Sequence, residues 1–342
     1  MAPETPQYDD PVSPQSVIIL KRKQTRETCG RRLAFIALVL SLVFPACADK
    51  ALGPVGAGNG SSLHQAVRSD NTAWVMDLIA KGAGIDETDS SGMTPLGIAV
   101  KRQNLEMVKL LLDRAANVRA GSGDYGAPLH LAVMGRGPDE EANVEIAELL
   151  IARGADLEAL GPIPRWTPLH QAAAWDRVDM AELLIKKGAN VNSRPRDPGG
   201  QTPLHTAVMV KRSLSMARLL VDHGADLRAR DNIGCTPLDL ALLNPRPSLD
   251  VVRLFLDHGA DVDSRTQGGV FDWEAGATPL HRAVFHREIG IVELLISRGA
   301  DVNAKNRMGK TPLALAKLWQ IKFSNPEYER VIDLLRNHGG HE

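Results

Sequence analysis

Five of the ten histidines in this 342-residue chain share one local context. His64 closes Ser61-Ser62-Leu63-His64, and His130 closes Ala127-Pro128-Leu129-His130. His170, His205 and His281 each close a Thr-Pro-Leu-His run that begins at Thr167, Thr202 and Thr278. Imidazole is the commonest metal ligand and titrates near neutrality, so metal or acid–base chemistry is the first reading. The spacing argues against it. Copies a whole unit apart in a regular array are too far from one another to fill one ion's shell, and the chain has no HExxH, no Cys–His cluster and no G-x-S-x-G. Cys29, Cys47 and Cys235 make no CxxC and no disulfide framework. Gly56, Gly58 and Gly60 imitate a phosphate loop, but no strand precedes them and the lysine of that motif is missing, so residues 49–60 read as a Gly-rich flexible linker. The sequence therefore predicts no catalytic residue, no metal and no cofactor.

The histidines belong to a longer unit. In the copy from Thr278 to Lys310, Thr278 is placed to cap a helix and Pro279 occupies its first turn, where a missing N–H costs nothing. A second apolar run follows, with Ile289, Val292, Leu295 and Ile296 on one helical face, and Gly299 stands where a left-handed helix end is expected. The unit is thus helix, turn, helix and polar hairpin. Neither helix can bury its apolar face alone. Matching starts fall near residues 61, 94, 127, 167, 202, 236, 278 and 311, separated by 33, 33, 40, 35, 34, 42 and 33 residues. The second helices end in Gly-Ala-Asp or Gly-Ala-Asn triplets, as at Gly154, Gly188, Gly224 and Gly259. A period near 33 with Thr-Pro-Leu-His resembles the ankyrin-repeat family over residues 61–342. The resemblance implies an all-α ankyrin-repeat solenoid of about eight helix-turn-helix-hairpin units, in which each unit touches only its neighbours. It also implies that the histidines hold backbone and threonine groups of the turn, a structural role.

Composition suits that plan. Apolar residues make up 44% of the chain, enough for a thin continuous core, and a net charge of −1 gives no reason to expect nucleic acid. Units longer than the period carry extra residues at Gly137 to Ala142, Pro195 to Gly199 and Thr266 to Gly276. Insertions in repeat proteins map to loops, often on the binding side. The first unit, with Arg68, Ser69, Asp70 and Asn71, and the last, ending in Arg336, Asn337 and His338, are polar in the manner of terminal caps.

The resemblance also implies where a partner would bind: the hairpin tips and two variable positions that end each first helix. The first variable column reads Arg68, Lys101, Met134, Ala174, Met209, Leu243, Phe285 and Leu318; the second reads Ser69, Arg102, Gly135, Trp175, Val210, Asn244, His286 and Trp319. From the third unit on these columns are apolar, and Trp166 stands at a variable hairpin position just before Thr167. Exposed aromatics beside Met are typical interface anchors. Trp166, Trp175, Met134, Met209 and Phe285 are therefore expected to contact a partner, with packing of the tryptophans inside their own unit as the competing reading. The implied function is a non-catalytic, monomeric scaffold that binds another protein on its concave face. A structural spacer or anchor in the cell envelope, or a regulatory partner of an enzyme, are the alternatives.

Residues 1–48 have a different character. A polar, Pro-rich stretch, read as disordered, precedes six basic residues between Lys21 and Arg32, then the apolar run of residues 33–44, then Pro45-Ala46-Cys47-Ala48. The apolar run is about half of the roughly 20 residues a membrane span needs, and the order basic, apolar, small is that of a secretory leader. Cutting after Ala48 fits the small-x-small rule, whereas Phe44 to Cys47 resembles a lipoprotein box with Cys47 lipidated. Either implies the periplasmic side of a bacterial cell envelope. A cytoplasmic protein, or an uncut leader that anchors the N-terminus in the membrane, is the alternative. The intact mass of the natively expressed protein is expected to place the N-terminus at Cys47 or just after Ala48, with added acyl mass in the first case. A full-length mass would contradict cleavage.

Overall fold

The computed structural model describes residues 62–135, 140–162, 165–195, 199–210, 213–244, 246–267 and 274–342. The leader, Cys47, the linker, Phe271 and Trp273 lie outside the described residues. Among the described residues there are sixteen α-helices, arranged as eight pairs, and no strand. The first helices are α1 (Ser62–Arg68), α3 (Pro95–Lys101), α5 (Pro128–Met134), α7 (Pro168–Trp175), α9 (Pro203–Val210), α11 (Pro237–Leu243), α13 (Pro279–His286) and α15 (Pro312–Phe323). Their partners are α2 (Thr72–Ala80), α4 (Leu105–Asp113), α6 (Glu140–Ala152), α8 (Val178–Lys186), α10 (Leu214–Asp222), α12 (Leu249–Asp257), α14 (Ile289–Ser297) and α16 (Glu327–Asn337). The fold is the expected all-α ankyrin solenoid.

The helices begin where the tetrapeptide dictates. Thr94, Thr167, Thr236 and Thr311 are extended caps whose hydroxyls accept from the N–H three residues on, and proline follows at the first helical position. Second helices use Asn71, Asn104, Ser213 and Ser248 in the same way. With these ends satisfied, burial fixes the stacking. The tetrapeptide leucines, from Leu63 to Leu313, are at most 3% exposed in all eight copies. Two positions after each histidine site stands an alanine, such as Ala66, Ala172 and Ala283, buried so that first helices pack closely on one another. Second helices contribute pairs four residues apart, including Met107 with Leu111, Ile146 with Leu150 and Val251 with Phe255. These lie on one helical face and form the other wall of a continuous core.

The hairpins add a backbone ladder. Asp86, Glu158, Asn192, Asp263 and Asn303 accept, through side-chain oxygens, the backbone N–H of Asn117, Asn190, Asp226, Asp301 and His341 in the following hairpin. Part of the third unit's extra sequence is not loop. Glu140, Glu141 and Ala142 are the first turn of α6, which runs for 13 residues, and acidic residues suit the positive end of a helix. In the sixth unit the added residues are closed at the neck: Gly276 N–H donates to Thr266 O at 2.9 Å, and Thr266 N–H donates to Ala277 O at 3.2 Å. Beneath that neck Arg282, 1% exposed, donates to Glu274, 2% exposed, at 3.2 Å. This ion pair is fully desolvated, so each charge depends on the other.

Two neighbouring units break the local rules. Ala115 holds the helix-end position that is glycine elsewhere, with φ of 66°. A left-handed alanine costs roughly 1–2 kcal/mol, partly offset by the entropy a glycine would lose. Ala127 holds the threonine position, caps nothing, and leaves His130 Nδ1 without a hydrogen-bond partner among the described residues. Ala115→Gly is expected to stabilise by on the order of 0.5–1 kcal/mol and Ala127→Thr by about 1 kcal/mol. Urea unfolding midpoints check both, and a lower midpoint for either variant would contradict the assignment.

Candidate functional site

The variable columns lie on consecutive first helices, which stack side by side. Met134, Trp175, Met209, Leu243 and Phe285 are all half-buried and line the last turns of α5, α7, α9, α11 and α13. Met134, Leu243 and Phe285 rest their inner atoms on the core while the rest stays in reach of solvent. Met209 is held by Gln201, whose Nε2 donates to its sulfur at 3.3 Å. Phe285 is held edge-on by Trp319, with ring centroids 5.0 Å apart at 71°. Trp319 is 4% exposed and belongs to the core, with Tyr328 tilted against it at 6.2 Å. Tyr328 in turn donates its hydroxyl to Phe285 O at 3.0 Å. The C-terminal end of the column is thus a packed aromatic ledge, preorganised by core contacts.

Trp166 does not join this surface. It is 7% exposed, and its carbonyl accepts from Gly161 N–H at 2.9 Å and from His130 Nε2 at 3.0 Å. The expectation of an exposed anchor is corrected at this residue. A side chain directly before the threonine lies where one unit closes on the next, so the large indole is buried in the closure. The strongly exposed apolar residues are Ile233 at 56% and Met308 at 53% in hairpin turns, Ile321 and Phe323 on α15, and Leu318, the last member of the first column. The signal for the hairpin pair was an apolar residue directly before a turn glycine, in Asn232-Ile233-Gly234 and Arg307-Met308-Gly309.

At the N-terminal end the columns are polar and mutually engaged. Arg68 pairs with the buried Asp89. Arg102 reaches Asp70 at 3.0 Å, and Lys101 lies over the Tyr125 ring at 4.4 Å. His286, in the second column, is held to about 4 by burial and by Arg282 and Arg287. It is therefore neutral near pH 7, and the column beside it stays uncharged.

The recurring histidines are committed to the frame. Nε2 of His64, His130, His170, His205 and His281 lies 3.0–3.1 Å from the carbonyl oxygen of Met93, Trp166, Gln201, Cys235 and Lys310. Each of those carbonyls belongs to the residue before the next unit's cap. A carbonyl only accepts, so Nε2 carries the proton and Nδ1 is the acceptor. The threonine hydroxyl supplies that bond, at 2.7 Å for Thr167, 2.8 Å for Thr202 and 2.9 Å for Thr278. Protonation of Nδ1 would reverse it, with the imidazolium donating to the hydroxyl oxygen. Burial pushes His205 and His281 down to about 4 and also lowers His130. No group of three or more metal-ligating side chains occurs among the described residues. Burial raises the Cys235 thiol to about 12, which removes it as a nucleophile near neutral pH. No described helix is long and apolar enough to cross a membrane.

Comparison with known proteins places this geometry. The profile described as Ankyrin repeats (3 copies) matches residues 63–161 and 193–266, and that described as Ankyrin repeat matches residues 165–195 and 275–307. The chain is 28% identical over 290 residues to the human transient receptor potential cation channel subfamily A member 1, covering 74% of this chain and 25% of that one. It is 29% identical to dog inversin over 250 residues, covering 71% of this chain and 22% of inversin. It is 29% identical to mouse rabankyrin-5 over 283 residues, covering 74% of this chain and 24% of rabankyrin-5. The matched region therefore spans about a quarter of each of these relatives.

The histidine frame carries a pH dependence. His205, His281 and His286 have folded-state values near 4 against an ordinary 6.5, so between those limits the unfolded chain binds more protons. Their stabilisation is complete above 6.5 and is lost as pH falls towards 4. Buried Asp231 and Asp239 are raised from 3.8 and act with the opposite sign, losing stabilisation as pH rises from there. Urea midpoints measured from pH 7 to pH 4 are expected to fall less steeply for His281→Gln than for the parent chain. Equal slopes would contradict the burial of neutral His281.

Proposed function

We propose, on the premise that this chain belongs to the ankyrin-repeat family, that it is a non-catalytic scaffold binding a partner protein on the concave side, across the ends of its first helices. The observation that carries the reading is the half-buried apolar column of Met134, Trp175, Met209, Leu243 and Phe285. Apolar area left in water is unfavourable by about 25 cal/mol per Å², so a contiguous strip on a rigid frame favours a contact site. The frame also favours binding energetically. Met134, Leu243 and Phe285 are already ordered by core contacts and Met209 by Gln201, so less entropy is lost on association. A pure spacer or anchor would need no such strip, which is the ground for ranking it second. The leader composition supports a place on the periplasmic side of a bacterial envelope for a monomeric protein, secreted or held by a lipid on Cys47.

The test is a titration. A partner is captured from native membranes with the full chain, identified and purified. Trp175→Ala combined with Met209→Ala is expected to keep the parent helical signal and to lose on the order of 2 kcal/mol or more of binding. Unchanged affinity in a folded variant would reject the column as the contact.

A further inference from the structure

We propose that the hairpin side of the fourth to seventh units is a cationic docking surface for an acidic, apolar-interspersed segment of a partner protein. The inference rests on the scaffold reading above and specifies the partner's chemistry.

The pattern is positional. The sixth residue after the helix-ending glycine is Arg194, Arg230, Arg265 and Lys305 in four successive units, following Gly188, Gly224, Gly259 and Gly299. The corresponding residue one unit earlier, after Gly154, is Leu160. Hydrogen bonds link the last three members of the column across neighbouring hairpins. Arg230 Nη1 donates to Gly234 O at 2.7 Å and across to Arg265 O at 3.0 Å. Arg265 Nη1 donates across to Lys305 O at 2.7 Å. Arg230 and Arg265 are thereby anchored by backbone carbonyls, and Arg194 by Gly200 O of its own hairpin at 3.2 Å, while Asp231, Asp239 and Asp263 feel these cations without pairing with them. Among the described residues none of these four cations, nor the adjacent Arg307, forms an ion pair with a carboxylate. Helix cations of the same units do pair, as Arg298 with Asp257 and Lys187 with Glu148. The chain as a whole carries −1, so this positive stripe is a local feature.

The surroundings select the occupant. An open notch of about 270 Å³ lies between the last two of these hairpins, lined by Arg265, Gln267, Lys305 and Arg307 among others. Exposed Ile233 and Met308 crown two of the hairpins beside the cations. Cations on each of the four hairpins, with exposed apolar tips on two of them, match a polypeptide with spaced carboxylates and aliphatic side chains between them. A nucleic acid carries about one charge per 1.7 Å of duplex and offers its phosphates nothing to set against Ile233 and Met308.

The probe is a fluorescein-labelled synthetic peptide of repeated Glu-Leu-Glu-Ser, titrated with the full-length protein by fluorescence anisotropy at low ionic strength. A peptide with Lys for Glu and a single-stranded oligothymidylate are run in parallel. Lys305→Glu with Arg307→Glu is the test variant, since both side chains are exposed and make no hydrogen bond among the described residues. Lys186→Glu with Lys187→Glu, on α8, makes the same change in net charge away from the hairpins. We expect saturable binding of the acidic peptide, weakened at least about tenfold in the Lys305/Arg307 variant and less than about twofold in the Lys186/Lys187 variant. Circular dichroism confirms that both variants stay folded, and if the reversal unfolds the chain, Lys305→Gln with Arg307→Gln is read instead, with the loss expected in the same direction. No saturable binding, equal loss in the two variants, or tighter binding of the oligothymidylate would each overturn the inference. The scaffold reading fails separately, through unchanged partner affinity of the Trp175/Met209 variant.

Discussion

Every unit boundary depends on how one turn holds the next, and in five of the eight units an imidazole does it. Nε2–H donates to the carbonyl before the following cap, and in three of the five Nδ1 accepts from the unit's own threonine. No other neutral side chain of this size offers a donor and an acceptor at opposite ends of a rigid ring. A buried hydrogen bond contributes about 1 kcal/mol net, but leaving such a carbonyl unpaired costs about 1–3 kcal/mol. The bond therefore selects the register of stacking more than it adds to the stability of a stack the leucines already drive together.

The three units that lack histidine show what the constraint requires. At Gly97 the space is taken from the other side: Ser122 Oγ lies where a side chain at residue 97 would begin. At Ala314 the following chain comes to the cap directly, with Thr311 Oγ1 donating to His341 O at 2.7 Å. At Asp239 the carboxylate accepts from Thr236 N–H and hydroxyl, at 3.0 and 2.9 Å, but has no proton to give when ionised. In that unit the carbonyl before the next cap, Ala277 O, accepts instead from Thr266, from its N–H at 3.2 Å and its hydroxyl at 3.4 Å. Asp239 is fully buried and feels the positive field of Arg282 in the next unit, which in turn holds Glu274 at the neck of the insertion. The buried pair of Arg282 and Glu274 requires both partners together, and it lies beside the hydrogen-bonded neck of the insertion.

Most of the frame was legible in the sequence because it repeats. Eight phased copies average out the noise in any one of them, so the helix starts at Pro95, Pro168 and Pro279 follow from residue types alone. The candidate site was legible only in part. Trp175, Met209 and Phe285 occupy the columns the repeat assigned, yet their degree of burial depends on neighbours a unit away, such as Trp319, that no local pattern reveals. Trp166 was misjudged for the same reason: one position before the cap, an indole is drawn into the closure between units. The added residues of the third unit illustrate a second cause, since Glu140 and Glu141 read as a polar loop but are favourable at a helix N-terminus.

The hairpin cations extend this logic from the frame to recognition. An arginine whose Nη1 is fixed on the next hairpin's carbonyl serves the stack through its hydrogen bonds and still presents its full charge. A lysine has no comparable fork. The column ends at Lys305, whose own carbonyl accepts from Arg265 while its ammonium makes no bond within the described residues. Structural duty thus falls on Arg230 and Arg265, while the charge of Lys305 is left free of it. Substitutions at Arg230 and Arg265 would mix folding with binding, whereas Lys305 separates them.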